Sequence, residues 1–293
     1  MARSRFQQLA DEADEARSRG EIGDDQWFRR TAAIFDAAYP AGDSPRAQSG
    51  FGGDEVRWEI ARRPIARPID RDGTFLDIGC ANGYLMECVV RWTHHHIEPY
   101  GLELAPAVAA LARQQRPRWA SRIFLGNALT WGPPMRFDFV RTELRYVPEQ
   151  RHKVFLERLL RDVVAPGGRL IVCGYGSPRS QQPAHPVRWL ARQHGFEPDL
   201  EFEQEAPEGG GPIIEVAVLR ARKETRATTL ERRATTLSNS GLPMGLPPKP
   251  PPRGDEDPAQ PSSVERIGKH ERQCSRPPHR ELGDCRGDQS DDR

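Results

Sequence analysis

The sequence predicts an α/β fold: a seven-stranded, mostly parallel, doubly wound sheet with an antiparallel last strand, an N-terminal helical cap and a disordered C-terminal tail. Three observations carry this expectation. Between residues 73 and 195, short apolar runs alternate with segments of helical spacing, an order that produces a parallel sheet covered on both faces. Residues 196–202 and 213–219 alternate instead and are joined by a Gly-rich turn, which reads as an antiparallel terminal pair. Beyond residue 223 the composition turns to proline and mixed charge. The expected units are therefore a cap or lid over 1–72, a sheet domain over 73–223 and a tail over 224–293.

In the cap, Phe6, Leu9, Ala10 and Ala13 mark one helix face. Trp27, Phe28, Ala32, Ile34 and Phe35 mark a second helix, with Gly20 and Gly23 between the two. Tyr39-Pro40 closes the pair, and residues 41–53 form a loop rich in Gly, Ser and Pro. That loop is either part of a packed cap or a mobile cover, with residues 49–53 lying across a site. Residues 54–65 read as a helix with Val56, Ile60 and the stem of Arg63 on one side.

The stretch that organises the domain is TFLDIGCANGYLMECVV, residues 74–90. Thr74, Phe75, Leu76 and Ile78 give a buried strand. Asp77 interrupts it at the carboxyl end, where open α/β sheets place ligands. Gly79 and Gly83 supply turn backbone, and a helix starts near Asn82, its first amides facing the turn and able to hold an anion. The dinucleotide fingerprint, with glycines at its first, third and sixth positions, is not met, because Ala81 and Tyr84 occupy the later two.

Further strands are expected at 97–102, 121–125, 137–140 and 169–173, with helices beginning at Pro106, Pro148 and Pro186. Glu103 ends the second strand, Asn127 and Ala128 follow the third, and Thr142 to Tyr146 follow the fourth. Pro166-Gly167-Gly168 is expected as a sharp turn before the fifth.

The D-x-G-C-A-N-G motif, the acidic end of the second strand and the P-G-G turn occur in the order and spacing of class I S-adenosylmethionine (SAM) methyltransferases. Residues 73–222, about half the chain, resemble one such Rossmann-like domain of the small bacterial kind. The resemblance implies S-adenosyl-L-methionine as cofactor. It implies Asp77 near the methionine amine, Glu103 on the ribose hydroxyls with Leu104 beside it, and backbone contacts from Gly79, Cys80, Ala81 and Gly83. Asn127 and Ala128 fall where the family binds adenine, with Asn where the family often has Asp. Asp77 also suits a cap for the turn, and Cys80 suits a small core filler.

Glu143 and Tyr146 are the candidate catalytic pair, as proton acceptor and as site wall or sulfonium partner. Glu143 could equally pair with Arg141 or Arg145, and either arginine could clamp an acidic acceptor. His94-His95-His96 is not expected to bind metal, since adjacent side chains point apart.

The net charge is +1 and the mean hydropathy is −0.72, giving no global field for nucleic acid or membrane. Neither a secretory leader nor an apolar run of the roughly 18 residues needed to span a bilayer is seen. Five scattered cysteines without a C-x-x-C pair fit a reducing, cytoplasmic setting. The leading expectation is methyl transfer to a small-molecule acceptor. Methylation of protein or RNA is an alternative, although no Asn/Asp-Pro-Pro-Tyr signature is present; a catalytically silent SAM-binding regulator is another. The tail repeats Arg-Ala-Thr-Thr-Leu at 226–230 and 233–237 and contains a proline run at 247–252.

Overall fold

A computed structural model of the chain describes residues 5–177 and 181–222, so the expectations about the tail lie outside the described residues. Three helices precede the sheet: α1 (Arg5–Ser18), α2 (Asp24–Ala38) and α3 (Glu55–Arg62). The sheet then begins with β1 (Gly73–Ile78), α4 (Tyr84–Trp92), β2 (Ile97–Glu103), α5 (Pro106–Gln115) and β3 (Ile123–Leu125). It continues with β4 (Phe137–Glu143), α6 (His152–Arg158), β5 (Val164–Tyr175), α7 (Val187–Gln193), β6 (Leu200–Glu205) and β7 (Pro212–Arg220).

The strand order is β3-β2-β1-β4-β5-β7-β6. The first five strands are mutually parallel, and β7 runs antiparallel to both β5 and β6. This is the seven-stranded, doubly wound arrangement that the sequence predicts. The chain reverses direction across β1 and β4, which creates the crevice at the strand ends where ligands bind in such sheets.

Two cores follow from the period-two alternation of the strands. Phe75, Phe139, Ile171 and Cys173 face a layer built on Trp58, Ile65 and Val89. Leu76, Ile78, Val140 and Val172 face the opposite layer with Phe155 and Leu159. Complete burial of each such side chain contributes about 1.5–3 kcal/mol.

The N-terminal helices pack on one another and against α5. Trp27 donates its indole N–H to Asp14 across α1 and α2 at 2.7 Å. Asp36 of α2 accepts from the Ala107 and Val108 amides at 2.8 and 3.2 Å, capping α5, whose own preceding residue, Ala105, provides no side-chain cap.

Several sequence expectations are corrected. Among the described side chains of α1, Ala13 is buried as expected and Ala16 with it, while Leu9 is exposed; the Asp14–Trp27 bond ties this helix to α2. The 54–65 helix is α3 followed by a 3-10 turn. Its buried face is Arg57, Trp58 and Ala61, with Val56 70% exposed and Arg63 exposed. Arg57 is drawn inside by Glu208 at 2.5 Å. The strand expected at 137–140 runs on to Glu143. Pro166-Gly167-Gly168 lies inside β5, where exchange of hydrogen bonds between Gly167, Gly168 and Ala221 carries the pairing through the bend. The 148–164 helix divides into a 3-10 turn, α6 and a π-helical segment, Leu159–Val163. The strand expected at 196–202 begins at Leu200.

Candidate functional site

Asp77 and Arg141 are register partners on adjacent parallel strands. Side chains two apart share a face, so Asp77, Arg141 and Glu143 project together at the carboxyl ends of β1 and β4. Tyr175 joins them from the end of β5. Arg141 is the hub. One terminal nitrogen lies 3.2 Å from Asp77 Oδ1 and 2.8 Å from the Tyr146 hydroxyl. The other lies 2.5 Å from Glu143 Oε1 and 3.0 Å from the Tyr175 hydroxyl. The Tyr146 hydroxyl in turn donates to Glu143 Oε1 at 2.7 Å.

Asp77 is completely buried, and its Oδ2 has no hydrogen-bond partner. Burial pushes its carboxyl up to about 7 against the pull of the Arg141 guanidinium. Burial also pushes the Tyr146 and Tyr175 phenols above their ordinary value.

Glu103 is buried at the end of β2. Its Oε2 accepts from the Ala81 amide at 2.9 Å, and its Oε1 accepts from the Leu104 and Ala105 amides at 2.8 and 3.0 Å. Burial raises its pKa, and the three amides oppose the rise. Between the two carboxylates runs the turn. Gly79 and Gly83 have φ of 74° and 76°, and Ala81 has φ of 47°, a left-handed conformation uncommon for a residue with a side chain. The Gly79 and Cys80 amides both reach the Leu102 carbonyl, and the Gly83 amide reaches Cys80. Asn82 Oδ1 takes the Tyr84 amide at 3.1 Å. The helix begins at Tyr84, with Gly83 at its N-cap, close to the start expected near Asn82. Of the helix's first amides, expected to be available to an anion, that of Tyr84 is already engaged by the Asn82 side chain.

The site is roofed. A β-carbon on Gly79 would collide with the Tyr146 ring, and one on Gly50 would collide with the Tyr39 hydroxyl. Tyr39 packs against Ala81, Ala105 and Val108. Its phenol is raised by burial first and then by the charges of Glu103 and Glu143. Arg62 stacks 3.5 Å from the Tyr175 ring centre, with Trp58 and Phe51 at 5.1 and 5.2 Å. Residues 41–53 cross above the turn, and Ser49 donates to Asn82 Oδ1 at 2.7 Å.

The sequence-derived candidates fall in three groups. Asp77, Gly79, Cys80, Ala81, Gly83, Glu103 and Leu104 gather at the ends of β1 and β2. Glu143 and Tyr146 lie against them from β4. Asn127 and Ala128 follow β3; Asn127 Oδ1 takes the Leu129 amide at 2.9 Å, and the Ala128 carbonyl accepts from Arg158 at 2.9 Å. Cys80 is a core residue whose thiol is pushed up by burial. His95 lies 3.6 Å from Asp72 on the surface, and among the described residues no His, Cys, Asp or Glu group is arranged for a metal ion. Sequence reasoning missed Arg62, Asn82 and Tyr39. Period-two reading from Asp77 and Phe139 would have put Arg141 at the centre.

No protein-family model matches the chain, and no curated protein matches it. Solved structures similar to it include the 1,6-didemethyltoxoflavin-N1-methyltransferase of Burkholderia thailandensis, with bound 1,6-didemethyltoxoflavin and S-adenosylhomocysteine. That likeness is 18% identity over 69% of this chain and 92% of that one, with a TM-score of 0.48. The N-methyltransferase NodS of Bradyrhizobium japonicum WM9, in complex with S-adenosylhomocysteine, is 17% identical over 67% and 97%, TM-score 0.45. A complex of the Haloferax volcanii Trm112 methyltransferase activator with a putative methyltransferase gives 15% over 64% and 99%, TM-score 0.47. Likenesses this distant speak at most to the fold, and the fold stands without them on strand order and register. It is a doubly wound sheet of seven strands, mostly parallel, with the last antiparallel. Among the described residues no helix is long and apolar enough to cross a membrane.

Proposed function

We propose that the chain is a SAM-dependent methyltransferase acting on a small-molecule acceptor, with 73–223 as its catalytic unit, 1–72 as its cap and the cytoplasm as its setting. The observation that carries this reading is the pair of buried carboxylates, Asp77 and Glu103, flanking the Gly79–Gly83 turn at adjacent strand ends.

The groups present fit that cofactor. The unpartnered Asp77 Oδ2 suits an ammonium. Glu103 Oε2 takes one hydrogen bond and retains acceptor capacity for a sugar hydroxyl. Arg62, stacked on rings among the described residues, suits a carboxylate. Leu104, Asn127 and Ala128 would border the base. Bound, the cofactor supplies a methyl group on a sulfonium. The chain's part is to position and to exclude water. Asp77, Glu103 and Arg62 orient the cofactor, and residues 41–53 and Tyr39 cover it. The Tyr146 ring has to leave Gly79 for a ligand to reach that backbone. The close roof favours a small acceptor over a protein or RNA.

Glu143 is the group beside this space that would take a proton from the acceptor, with Tyr146 as its wall. The pairing of Glu143 with Arg141 at 2.5 Å favours one second reading: a ligand-binding protein that retains the fold without transfer. Titration calorimetry tests the first claim. SAM and S-adenosylhomocysteine are expected to bind and NAD is not; tight NAD binding would sink the reading. Glu143→Gln then separates the two readings. With any acceptor found, turnover falls by about 10²-fold while cofactor affinity stays, if the carboxylate is the base.

A further inference from the structure

Asn82 is a fully buried amide in the middle of the turn, and no role above uses it. Its oxygen accepts from the Tyr84 amide within the turn and from Ser49 Oγ at 2.7 Å outside it. Its nitrogen donates to the Pro45 carbonyl at 3.0 Å and to Gln115 at 3.1 Å, with Gln48 at 3.4 Å. Gln115 donates to Gln48 at 2.7 Å, closing the ring of amides. An Asn side chain has two N–H donors and two acceptor positions, so this one is fully used, half of it by residues 45–49. On one side it follows Ala81, and on the other it precedes left-handed Gly83. Its backbone is thus fixed by the turn, while its side chain is held by the strap formed by residues 41–53.

A second tie runs parallel to the first. Glu55, just after the strap, accepts from the Tyr84 hydroxyl at 2.9 Å and from Arg46 of the strap at 2.5 Å. Lifting the strap would strip a buried amide of half its partners, an arrangement that folded proteins avoid. Turn and strap therefore change state together, which is the physical content of coupling between two elements.

We propose that Asn82 is a positioning residue that couples the glycine turn to the strap, so that a ligand seated at the turn is retained by strap closure and leaves when the strap opens. The ligand half of this inference rests on the proposed function; the coupling half does not.

The test uses the full chain, with amide hydrogen exchange and displacement kinetics of S-adenosylhomocysteine on the wild type, Asn82→Ala and Ser49→Ala. In ligand-free protein, Asn82→Ala is expected to raise exchange across residues 41–53 by about tenfold or more while β1 and β4 keep their protection. Ser49→Ala, which leaves the turn intact, shifts the same amides by less. With ligand, dissociation accelerates by about tenfold in Asn82→Ala and association changes little. Unchanged strap exchange in both variants would overturn the coupling. Slower association at unchanged dissociation would reduce Asn82 to a shaper of the turn and overturn the retention role. Should Asn82→Ala not fold, Ser49→Ala and Gln48→Ala decide by the same measurements. If the wild type binds no S-adenosylhomocysteine, it is the proposed function that falls, and ligand-free exchange decides the coupling by itself.

Discussion

The two buried carboxylates of the site are stabilised in different ways. Glu103 is held by three backbone amides from two segments. Asp77 is held by one guanidinium, itself shared with Glu143, Tyr146 and Tyr175, and one of its oxygens has no partner. Backbone amides move only if the fold moves, so Glu103 is a fixed acceptor. A guanidinium on a long side chain can re-pair, so Asp77 sits in a network that can rearrange around a ligand. The difference teaches which part of the site is scaffold and which part is adjustable.

The largest expected effect comes from removing the hub. Arg141→Met leaves Asp77 and Glu143 without their common cation in a buried setting. Breaking such a pair costs about 3–5 kcal/mol, read as a lower midpoint in urea unfolding at pH 7. A variant as stable as the wild type would mean that Asp77 is held by something other than Arg141.

The pH dependence of stability sharpens the same contrast. Native Asp77 keeps its proton up to about pH 7, whereas the unfolded chain releases it near the ordinary carboxylate value. Between these limits the folded form binds more protons, so this contribution to stability falls as pH rises and levels off above about 7. Glu103, raised by burial, acts with the same sign. His185 acts oppositely: burial lowers it from 6.5 to about 4, and His152 beside it is lowered too. There the unfolded chain binds more protons, and stability is lost as pH falls from 6.5 toward 4. Thermal unfolding from pH 4 to 8 is expected to show Asp77→Asn unmasking the rising limb and His185→Phe unmasking the falling one. Identical profiles for both variants would refute the assignment.

On the Glu103 side, the expected effect is on binding. Glu103→Ala should weaken cofactor affinity by about 1.5–3 kcal/mol, the range for a hydrogen bond to a charged group. Calorimetry showing equal affinity would leave Glu103 only its amide-capping role.

The contrast also explains what the sequence disclosed. Asp77, Gly79, Gly83 and Glu103 were legible because strand ends and glycine turns are local patterns, and the mostly parallel sheet followed from β-α alternation. Arg57 and Arg62 were not. Arg57 is buried by Glu208, 151 positions away, and half-buried Arg62 lies over Trp58 of its own helix but also over Phe51 and Tyr175; neither Glu208 nor Tyr175 is implied by neighbouring residues. Leu9 misled because an apolar face on α1 says nothing about which of its edges Trp27 will claim. The polar Thr142 and Glu143 hid the end of β4, since their place in the sheet is set by pairing with Val172 and Cys173, not by their own β-propensity. Asn82 read as a turn residue, and its attachment to residues 45–49 is a tertiary fact.

A third carboxylate gives the smallest and cleanest test of the backbone-held class. Asp36, like Glu103, accepts from two successive amides, those of Ala107 and Val108. It differs in being partly exposed and in reaching α5 from another helix. Water can replace a lost acceptor at a partly exposed helix end far better than inside a buried turn, so the loss should be that of an ordinary N-cap, about 1 kcal/mol. Asp36→Asn keeps the acceptor oxygen and should recover most of that loss, leaving only the interaction of charge with the start of α5. Urea unfolding of the wild type and the two variants measures both steps. A loss in Asp36→Ala well beyond about 2 kcal/mol would mean that this contact does more than cap: it would be what docks α2, and Tyr39 at its end, over the site. Such a result would move Asp36 from the scaffold to the cover, and hydrogen exchange across residues 24–53 would then rise in that variant together with the loss of stability.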